Sequence, residues 1–173
     1  LFDSVITGST INLTSGELYI AVNIDDLTIK GPIAGDFNSI TVDAGGNSRV
    51  ISANDDNPFN TFIFSTITLE NMTITGGSPV YNPEETSRGG GGIYSEADLI
   101  LNNTSINKNK TTLDFQPGGG VHAKEGVIIN NSIITENSTI NNNSPGGGIF
   151  GRADINNSII SDNFPLGERS DGG

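Results

Sequence analysis

The fold is decided by the stretch Gly118-Gly119-Gly120-Val121-His122 together with the copies of it that precede and follow. Gly90-Gly91-Gly92-Ile93-Tyr94 begins 28 residues earlier, and Gly146-Gly147-Gly148-Ile149-Phe150 begins 28 residues later. Self-similarity at a fixed period of this length indicates a solenoid, in which each repeat forms one coil and packs only against its neighbours.

The interior of each repeat is also repeated. Leu99-Ile100-Leu101-Asn102-Asn103 aligns with Val127-Ile128-Ile129-Asn130-Asn131, and each repeat closes on an Ile-x-x-Asn motif. The closing motifs are Ile106 to Asn109, Ile134 to Asn137 and Ile160 to Asn163. Short β-branched runs bounded by Gly and Asn are typical of strands, and no window has sustained helical spacing. The sequence therefore predicts an all-β, right-handed parallel β-helix (β-solenoid) of about six coils.

Stacking of the coils at about 4.8 Å predicts columns of equivalent side chains. The predicted apolar columns are Ile93, Val121 and Ile149, and Ile74, Ile106, Ile134 and Ile160. Two asparagine ladders are predicted at turns, where amides bond from coil to coil: Asn71, Asn103, Asn131 and Asn157, and Asn109, Asn137 and Asn163. The slot after the glycine motif predicts an aromatic column of Tyr94, His122 and Phe150.

We expect one β-helix segment over residues 1–173, with irregular amino-terminal coils over 1–65 and regular repeats over 66–173. Ser78 to Arg88 and Thr111 to Pro117 are interpreted as variable insertions that leave the rod. Asp171-Gly172-Gly173 has the form of another repeat, so we expect the segment to be part of a longer repeat protein.

The composition restricts the partners. Lys and Arg total 8 against 20 Asp and Glu, the net charge is -12, and there is no Cys. A strongly acidic chain is a poor ligand for nucleic acids or anionic membrane surfaces, and without Cys it has no disulfides or thiolate metal sites. No apolar run reaches the length of a membrane helix, so we expect no direct membrane insertion of this segment.

The repeat motifs resemble those of the chlamydial polymorphic outer-membrane proteins (Gly-Gly-Ala-Ile and Phe-x-x-Asn) and of other bacterial surface or secreted β-helix proteins. Gly91-Gly92-Ile93, Gly119-Gly120-Val121 and Gly147-Gly148-Ile149 carry the first motif. The Ile-x-x-Asn segments carry the second, with Ile in place of Phe. The resemblance implies a β-helix at the bacterial cell surface or outside the cell, in a stalk or adhesin-like passenger region.

No arrangement of residues predicts an active site, and we expect no enzymatic activity. A glycoside hydrolase needs two converging carboxylates, for which Asp98 and Asp154 are candidates if they stack at equivalent positions, with Glu125 or Gly126 between them. The alternative, which we favour, is a solvated acidic face. His122 is interpreted as a member of the aromatic column, which is itself a candidate sugar-stacking platform.

No cofactor is expected apart from a candidate calcium site. Asn54, Asp55 and Asp56 form an oxygen-rich loop of the kind that calcium prefers, and the alternative is a solvated turn.

Three functions remain open at this stage. The first is an extracellular structural or adhesin-like scaffold that displays loops to a host or neighbouring cell surface, to glycans or to other copies of itself. The second is a carbohydrate-binding or polysaccharide-degrading protein. The third is a lattice or filament subunit, since the end coils of a β-helix expose strand edges.

Overall fold

The computed structural model describes residues 9–12, 17–21, 26–37, 39–54, 66–80 and 89–168. This part of the chain contains seventeen β-strands and no helix. The strands are β1 (Ser9–Asn12), β2 (Leu18–Ala21), β3 (Leu27–Lys30), β4 (Ile40–Asp43), β5 (Ile51–Asn54), β6 (Thr66–Thr75), β7 (Ile93–Ser95), β8 (Asp98–Asn107), β9 (Lys110–Thr111), β10 (Val121–Ala123), β11 (Val127–Asn130), β12 (Ile133–Thr135), β13 (Ser138–Thr139), β14 (Ile149–Phe150), β15 (Ala153–Asn156), β16 (Ile159–Ser161) and β17 (Phe164–Pro165). Among the described residues we find no helix long and apolar enough to cross a membrane.

The strands form three parallel sheets, and successive strands of each sheet come from successive coils. The first sheet runs β1-β4-β6-β8-β11-β15. In addition, β12 pairs with the carboxy-terminal part of β8 and with β16, and β3 pairs with β6. The second runs β2-β5-β7-β10-β14, and the third runs β9-β13-β17. The predicted parallel β-solenoid is thus confirmed.

The number of coils depends on the sheet in which they are counted. The longest path through the first sheet crosses six strands, as many as the coils expected from the sequence. The five strands of the second sheet enclose about four complete turns. The two counts differ because strands of the two sheets alternate along the described chain, so that five strands of the second sheet lie between six strands of the first.

The register confirms the predicted apolar columns. Val121 pairs with Ile93 on one side and Ile149 on the other, and Ile51 extends this column by one coil. Ile134 pairs with Ile106 and with Ile160, and the column continues through Ile74 to Val42. Nearly all of these side chains are buried, and burial of each Ile contributes roughly 1.5–3 kcal/mol.

The predicted Asn71 column is mainly a column of corners. Asn71, Asn103, Asn131 and Asn157 all have a left-handed backbone, with φ between 47° and 55°. Asn tolerates this conformation better than most residues, so it can turn the chain between two strands. An expected coil-to-coil bond joins Asn157 to Asn131, where the Asn157 amide donates to Asn131 Oδ1 at 2.6 Å. Asn71 Oδ1 instead accepts from the backbone N–H of Gly35.

The second predicted asparagine ladder is buried and continuous. Asn137 Oδ1 accepts from both the backbone N–H and the side-chain amide of Asn109, each at 3.0 Å. Asn163 Oδ1 accepts the same two bonds from Asn137, also at 3.0 Å. Asn109 and Asn137 are 0% exposed, so these amides satisfy backbone groups that water cannot reach.

The glycine triplets allow the coils to approach closely at one corner. A Cβ on Gly119 would lie 2.4 Å from the carbonyl oxygens of both Gly147 and Ser138. Any side chain at this position would push the backbone of the neighbouring coil away. The triplet therefore fixes the distance between coils at this corner.

The interpretation of Thr111 to Pro117 as a variable insertion is wrong. The Thr111 hydroxyl donates to the Gln116 carbonyl at 2.7 Å, and one coil later the Thr139 hydroxyl donates to the Ser144 carbonyl. The Gln116 N–H in turn donates to Ser144 Oγ at 3.1 Å. The segment is thus a regular turn of the solenoid that recurs in the following coil.

Candidate ligand-binding face

The outward side chains of the first sheet form three parallel columns on one face of the solenoid. They are here called the outer columns. The register places Thr66, Asp98, Gly126 and Arg152 in the first, Thr68, Ile100, Ile128 and Asp154 in the second, and Glu70, Asn102, Asn130 and Asn156 in the third. Alternation along each strand points these residues away from the core formed by their neighbours.

A cavity of about 270 Å³ opens on this face. Its lining includes the carboxylates of Asp98, Glu125 and Asp154. A single guanidinium, that of Arg152, also lines it. Arg152 Nη2 lies 3.7 Å from Asp154 Oδ2, and both side chains are largely exposed, so this pair contributes little to stability.

The cavity exists because one outer column lacks a side chain at Gly126. Asp98 and Arg152 occupy the equivalent positions in the adjacent coils. A Cβ on Gly126 would have no neighbour nearer than the Arg152 carbonyl oxygen at 3.5 Å. Ile100 and Ile128 line the same cavity, and Ile128 remains 40% exposed.

The three carboxylates that line the cavity differ in their hydrogen-bond and ion-pair partners. Asp98 and Glu125 have neither a hydrogen bond nor an ion pair within the described part of the chain. The lining therefore carries three carboxylates against one guanidinium, an excess of negative charge. Carboxylates in this state accept hydrogen bonds from a ligand without first breaking internal contacts.

A half-buried amide ladder runs along the third outer column, next to the columns that line the cavity. Asn156 donates to Asn130 at 3.1 Å, Asn130 donates to Asn102 at 2.9 Å, and Asn102 donates to Glu70 at 3.2 Å. The Lys30 ammonium ends the row, 2.8 Å from Glu70. The Lys30 hydrogen bond, followed by that of Asn102, holds the pKa of Glu70 below its usual range.

Asp98 and Asp154 do not stack as the carboxylate hypothesis required. The coil neighbour of Asp98 is Gly126, whereas that of Asp154 is Ile128, two residues further along the strand. Arg152 occupies the position expected for Asp154. The two carboxylates nevertheless line one cavity, as members of different columns.

The aromatic column is confirmed, with His122 as its central member. The His122 ring lies 5.2 Å from those of Tyr94 and Phe150, at interplanar angles of 80° and 75°. Tyr94 is fully buried and Phe150 is 38% exposed. Edge-to-face packing turns successive ring faces in different directions, so the column lacks the continuous flat surface of a sugar-stacking platform.

The candidate calcium loop lies almost wholly outside the described residues. Asn54 ends β5, while Asp55 and Asp56 fall beyond the described range, so the calcium hypothesis remains a prediction. Within the described ranges, no group of three or more His, Cys, Asp or Glu side chains is placed to hold a metal ion.

Sequence reasoning missed the contributions of Ile100, Ile128 and Arg152 to this face. The signal was present in the aligned repeats, where Gly126 replaces the side chain that other coils carry. A single glycine among outward-facing residues marks a gap in the wall of a solenoid.

Comparison with protein-family models, curated proteins and solved structures found no match. The class of protein is therefore defined by the structure, which is a parallel β-solenoid with an acidic cavity on an outer sheet face of its described part. The resemblance to the chlamydial repeat family remains a prediction.

Proposed function

We propose that this chain is an adhesin-like scaffold segment of a bacterial surface or secreted protein and acts outside the cell. In this proposal the solenoid is a rigid rod, and its work is to hold a loop at a fixed position. The expected partners are a host or neighbouring cell surface, glycans, or other copies of the chain.

The observation that carries the proposal is the closeness of the two ends of the 78–90 segment. A Cβ on Gly77 would lie 1.9 Å from the Gly91 carbonyl oxygen, so the chain returns to the coil where it left. Val80, at the start of the segment, is 62% exposed, and residues 81–88 lie outside the described part. An insertion with adjoining ends changes in sequence and length at little cost to the coil.

The base of this segment is held by hydrogen bonds to the rod. The backbone N–H of Ser78 donates to the Ser48 carbonyl at 2.7 Å, and that of Gly90 donates to the Pro117 carbonyl at 2.9 Å. The buried Arg49 donates from Nε to the carbonyls of Gly89 and Gly90 at 3.1 and 3.0 Å. A fixed base supports the display of a loop in a defined direction.

The composition also supports a role outside the cell. A net charge of -12 favours solubility, keeps non-specific self-association weak and disfavours binding to nucleic acids. The outer columns are polar apart from Ile100 and Ile128, so most of this face needs no covering layer, unlike the faces of a sheet in a compact globular domain.

The test is an adhesion assay with the complete chain immobilised on beads. Residues 81–88 are replaced by a Gly-Ser segment of equal length, and attachment to epithelial and bacterial cells is counted. We expect the variant to keep its circular dichroism spectrum and melting temperature and to lose attachment. The control, Glu136→Gln with Asp162→Asn, removes two exposed carboxylates from a turn far along the chain and should attach normally. Equal attachment of all three proteins would contradict the proposal.

Carbohydrate binding is the second candidate function, and the cavity on the outer columns favours it. In contrast to the scaffold, it needs no contribution from residues 78–90. The two functions are compatible on one rod because the described residues of the 78–90 segment do not line the cavity.

A further inference from the structure

The cavity lies at a register position that carries side chains in the adjacent coils, those of Asp98 and Arg152. Gly126 leaves the space open, and its φ of 144° is a backbone conformation that favours glycine over a residue with a side chain. The volume of the cavity, about 270 Å³, is near the lower end of the range for small-molecule sites. The base of the cavity is a parallel sheet whose strands are held in register by backbone hydrogen bonds, so the backbone around it is preformed.

We propose that this cavity binds one residue of a glycan chain, and that the glycan is neutral or carries amino groups. Asp98 and Glu125 have no partner among the described residues, so both carboxylates are available as acceptors. Adjacent hydroxyls of a sugar ring donate two hydrogen bonds to a carboxylate. Such charge-assisted bonds are shorter and stronger than neutral ones.

The apolar part of the lining matches the carbon face of a sugar ring. Ile128 is 40% exposed, and it stacks in register on Ile100 inside the cavity. A pyranose ring carries C–H groups on its faces and hydroxyls at its edge. Contact of the C–H groups with Ile128 removes apolar surface from water while the ring edge stays within reach of the carboxylates.

Arg152 lines the cavity, and further donors lie in the neighbouring third outer column. Arg152 is about four-fifths exposed and holds Asp154 only loosely, at 3.7 Å. The amides of Asn130 and Asn156 use one hydrogen each in the ladder, which leaves the second hydrogen of each for a ligand. The face thus combines acceptors, donors and an apolar centre.

The charge of the lining selects among glycans. Three carboxylates against one guanidinium repel a uronate or sulfated sugar, because like charges brought together in a partly desolvated site are costly. A protonated amino group is attracted by the same carboxylates. We therefore expect amino sugars to bind most tightly, neutral sugars less tightly and acidic sugars not measurably.

This inference does not depend on the scaffold proposal. A display rod needs no cavity on its outer columns, and the described ends of the 78–90 segment, residues 78–80 and 89–90, do not line the cavity. Loss of glycan binding at the cavity would leave attachment through residues 81–88 unchanged, and loss of that attachment would leave the cavity intact.

The test is titration calorimetry of the complete chain with four tetrasaccharides: chitosan, cellulose, N-acetylated chitin and oligogalacturonate. Backbone NMR shifts of Gly126 and Ile128 locate the site. We expect a Kd of about 1 mM or below for the amino tetrasaccharide and weaker binding of the neutral ones. Asp98→Asn with Glu125→Gln should weaken amino-sugar binding by at least about tenfold. Ile128→Ser should weaken binding of the neutral sugars.

The control is Glu136→Gln with Asp162→Asn, which changes the net charge equally at two exposed turn residues, and it should bind within about twofold of the original chain. Unchanged circular dichroism and melting temperature show that each variant is folded. The proposal is overturned if no tetrasaccharide shifts Gly126 or Ile128, or if the control weakens binding as much as the cavity variant. It is also overturned if oligolysine shifts these residues and no saccharide does, since the ligand is then a basic peptide.

Discussion

Replacement of Asn137 by Ala removes the central amide of the buried ladder. Asn137 is 0% exposed. Its Oδ1 accepts two bonds from Asn109 at 3.0 Å, and its Nδ2 donates to the Ile106 carbonyl at 2.9 Å and to Asn163 Oδ1 at 3.0 Å. The substitution therefore leaves the backbone N–H of Asn109 and the carbonyl of Ile106 buried without this amide.

The expected loss follows from these two backbone groups. Each buried polar group left without a partner costs about 1–3 kcal/mol, so the two together cost about 2–6 kcal/mol. Removal of the amide also leaves a small void, while a water molecule entering that void restores part of the hydrogen bonding. We expect the free energy of unfolding to fall by about 4 kcal/mol.

The assay is urea unfolding followed by circular dichroism at 25 °C. The matched control is Asn156→Ala, which removes an exposed amide with one ladder bond of 3.1 Å to Asn130. The control should cost no more than about 0.5 kcal/mol, as for other surface substitutions. Equal losses in the two variants, or a loss below about 1 kcal/mol in Asn137→Ala, would refute the view that buried amide ladders stabilise the rod.

Three further predictions concern close backbone contacts, a buried ion pair and a charged ladder. Gly119→Ala places a Cβ 2.4 Å from two backbone carbonyl oxygens, so the urea midpoint should fall by the equivalent of about 3 kcal/mol; an unchanged midpoint would contradict it. Arg49→Met removes the 1%-exposed guanidinium that pairs with Glu17 at 2.8 Å and leaves the carbonyls of Gly89 and Gly90 without this donor, so it should cost about 2–6 kcal/mol in the same assay; a loss below about 1 kcal/mol would contradict it. In the original chain the lowered pKa of Glu70 gives stability that is present above the unfolded pKa of about 4.5 and is lost as the pH falls through the folded pKa. Asn102→Asp replaces the amide bonded to Glu70 by a carboxylate, and repulsion between the two carboxylates raises their folded pKa values. This variant should therefore lose stability as the pH rises. The expectation is excluded if the melting temperatures of the variant and the original chain change by the same amount between acidic and neutral pH.

Much of the fold was predictable because a solenoid converts sequence period directly into contact. Residues 28 apart, such as Ile106 and Ile134, pair in the structure because one period is one coil. The buried asparagine ladder followed from the same spacing. The role of Asn71 and its equivalents was not predictable, because the sequence pattern of an amide ladder is the same as that of a left-handed corner.

The site was less predictable because it depends on an offset between two coils. Ala153 occupies the inward position of Leu99 and Val127, but Ala is a weak hydrophobic signal, and alignment on it alone is uncertain. Asp154 was therefore matched with Asp98, two residues out of register. The cavity itself results from the lack of a side chain at Gly126. A position without a side chain is harder to recognise in a sequence than a repeated motif.

The arrangement of charge on the rod separates structural carboxylates from the cavity carboxylates. Like charges in register one coil apart, at about 4.8 Å, repel by roughly 1–3 kcal/mol depending on the local dielectric. Among the described strand pairs no carboxylate pairs with another: Glu70 faces Lys30 and Asn102, and Asp98 faces Thr66.

Asp98, Glu125 and Asp154 keep this arrangement within the strand pairs, since Asp98 faces Gly126 and Asp154 faces Ile128. All three nevertheless line one cavity together with a single guanidinium. Repulsion among them does not stabilise the rod, and neutral residues such as Thr66 and Thr68 occupy the same outer columns in another coil. The excess of negative charge and the gap at Gly126 thus coincide at one cavity, which makes this cavity the candidate ligand site.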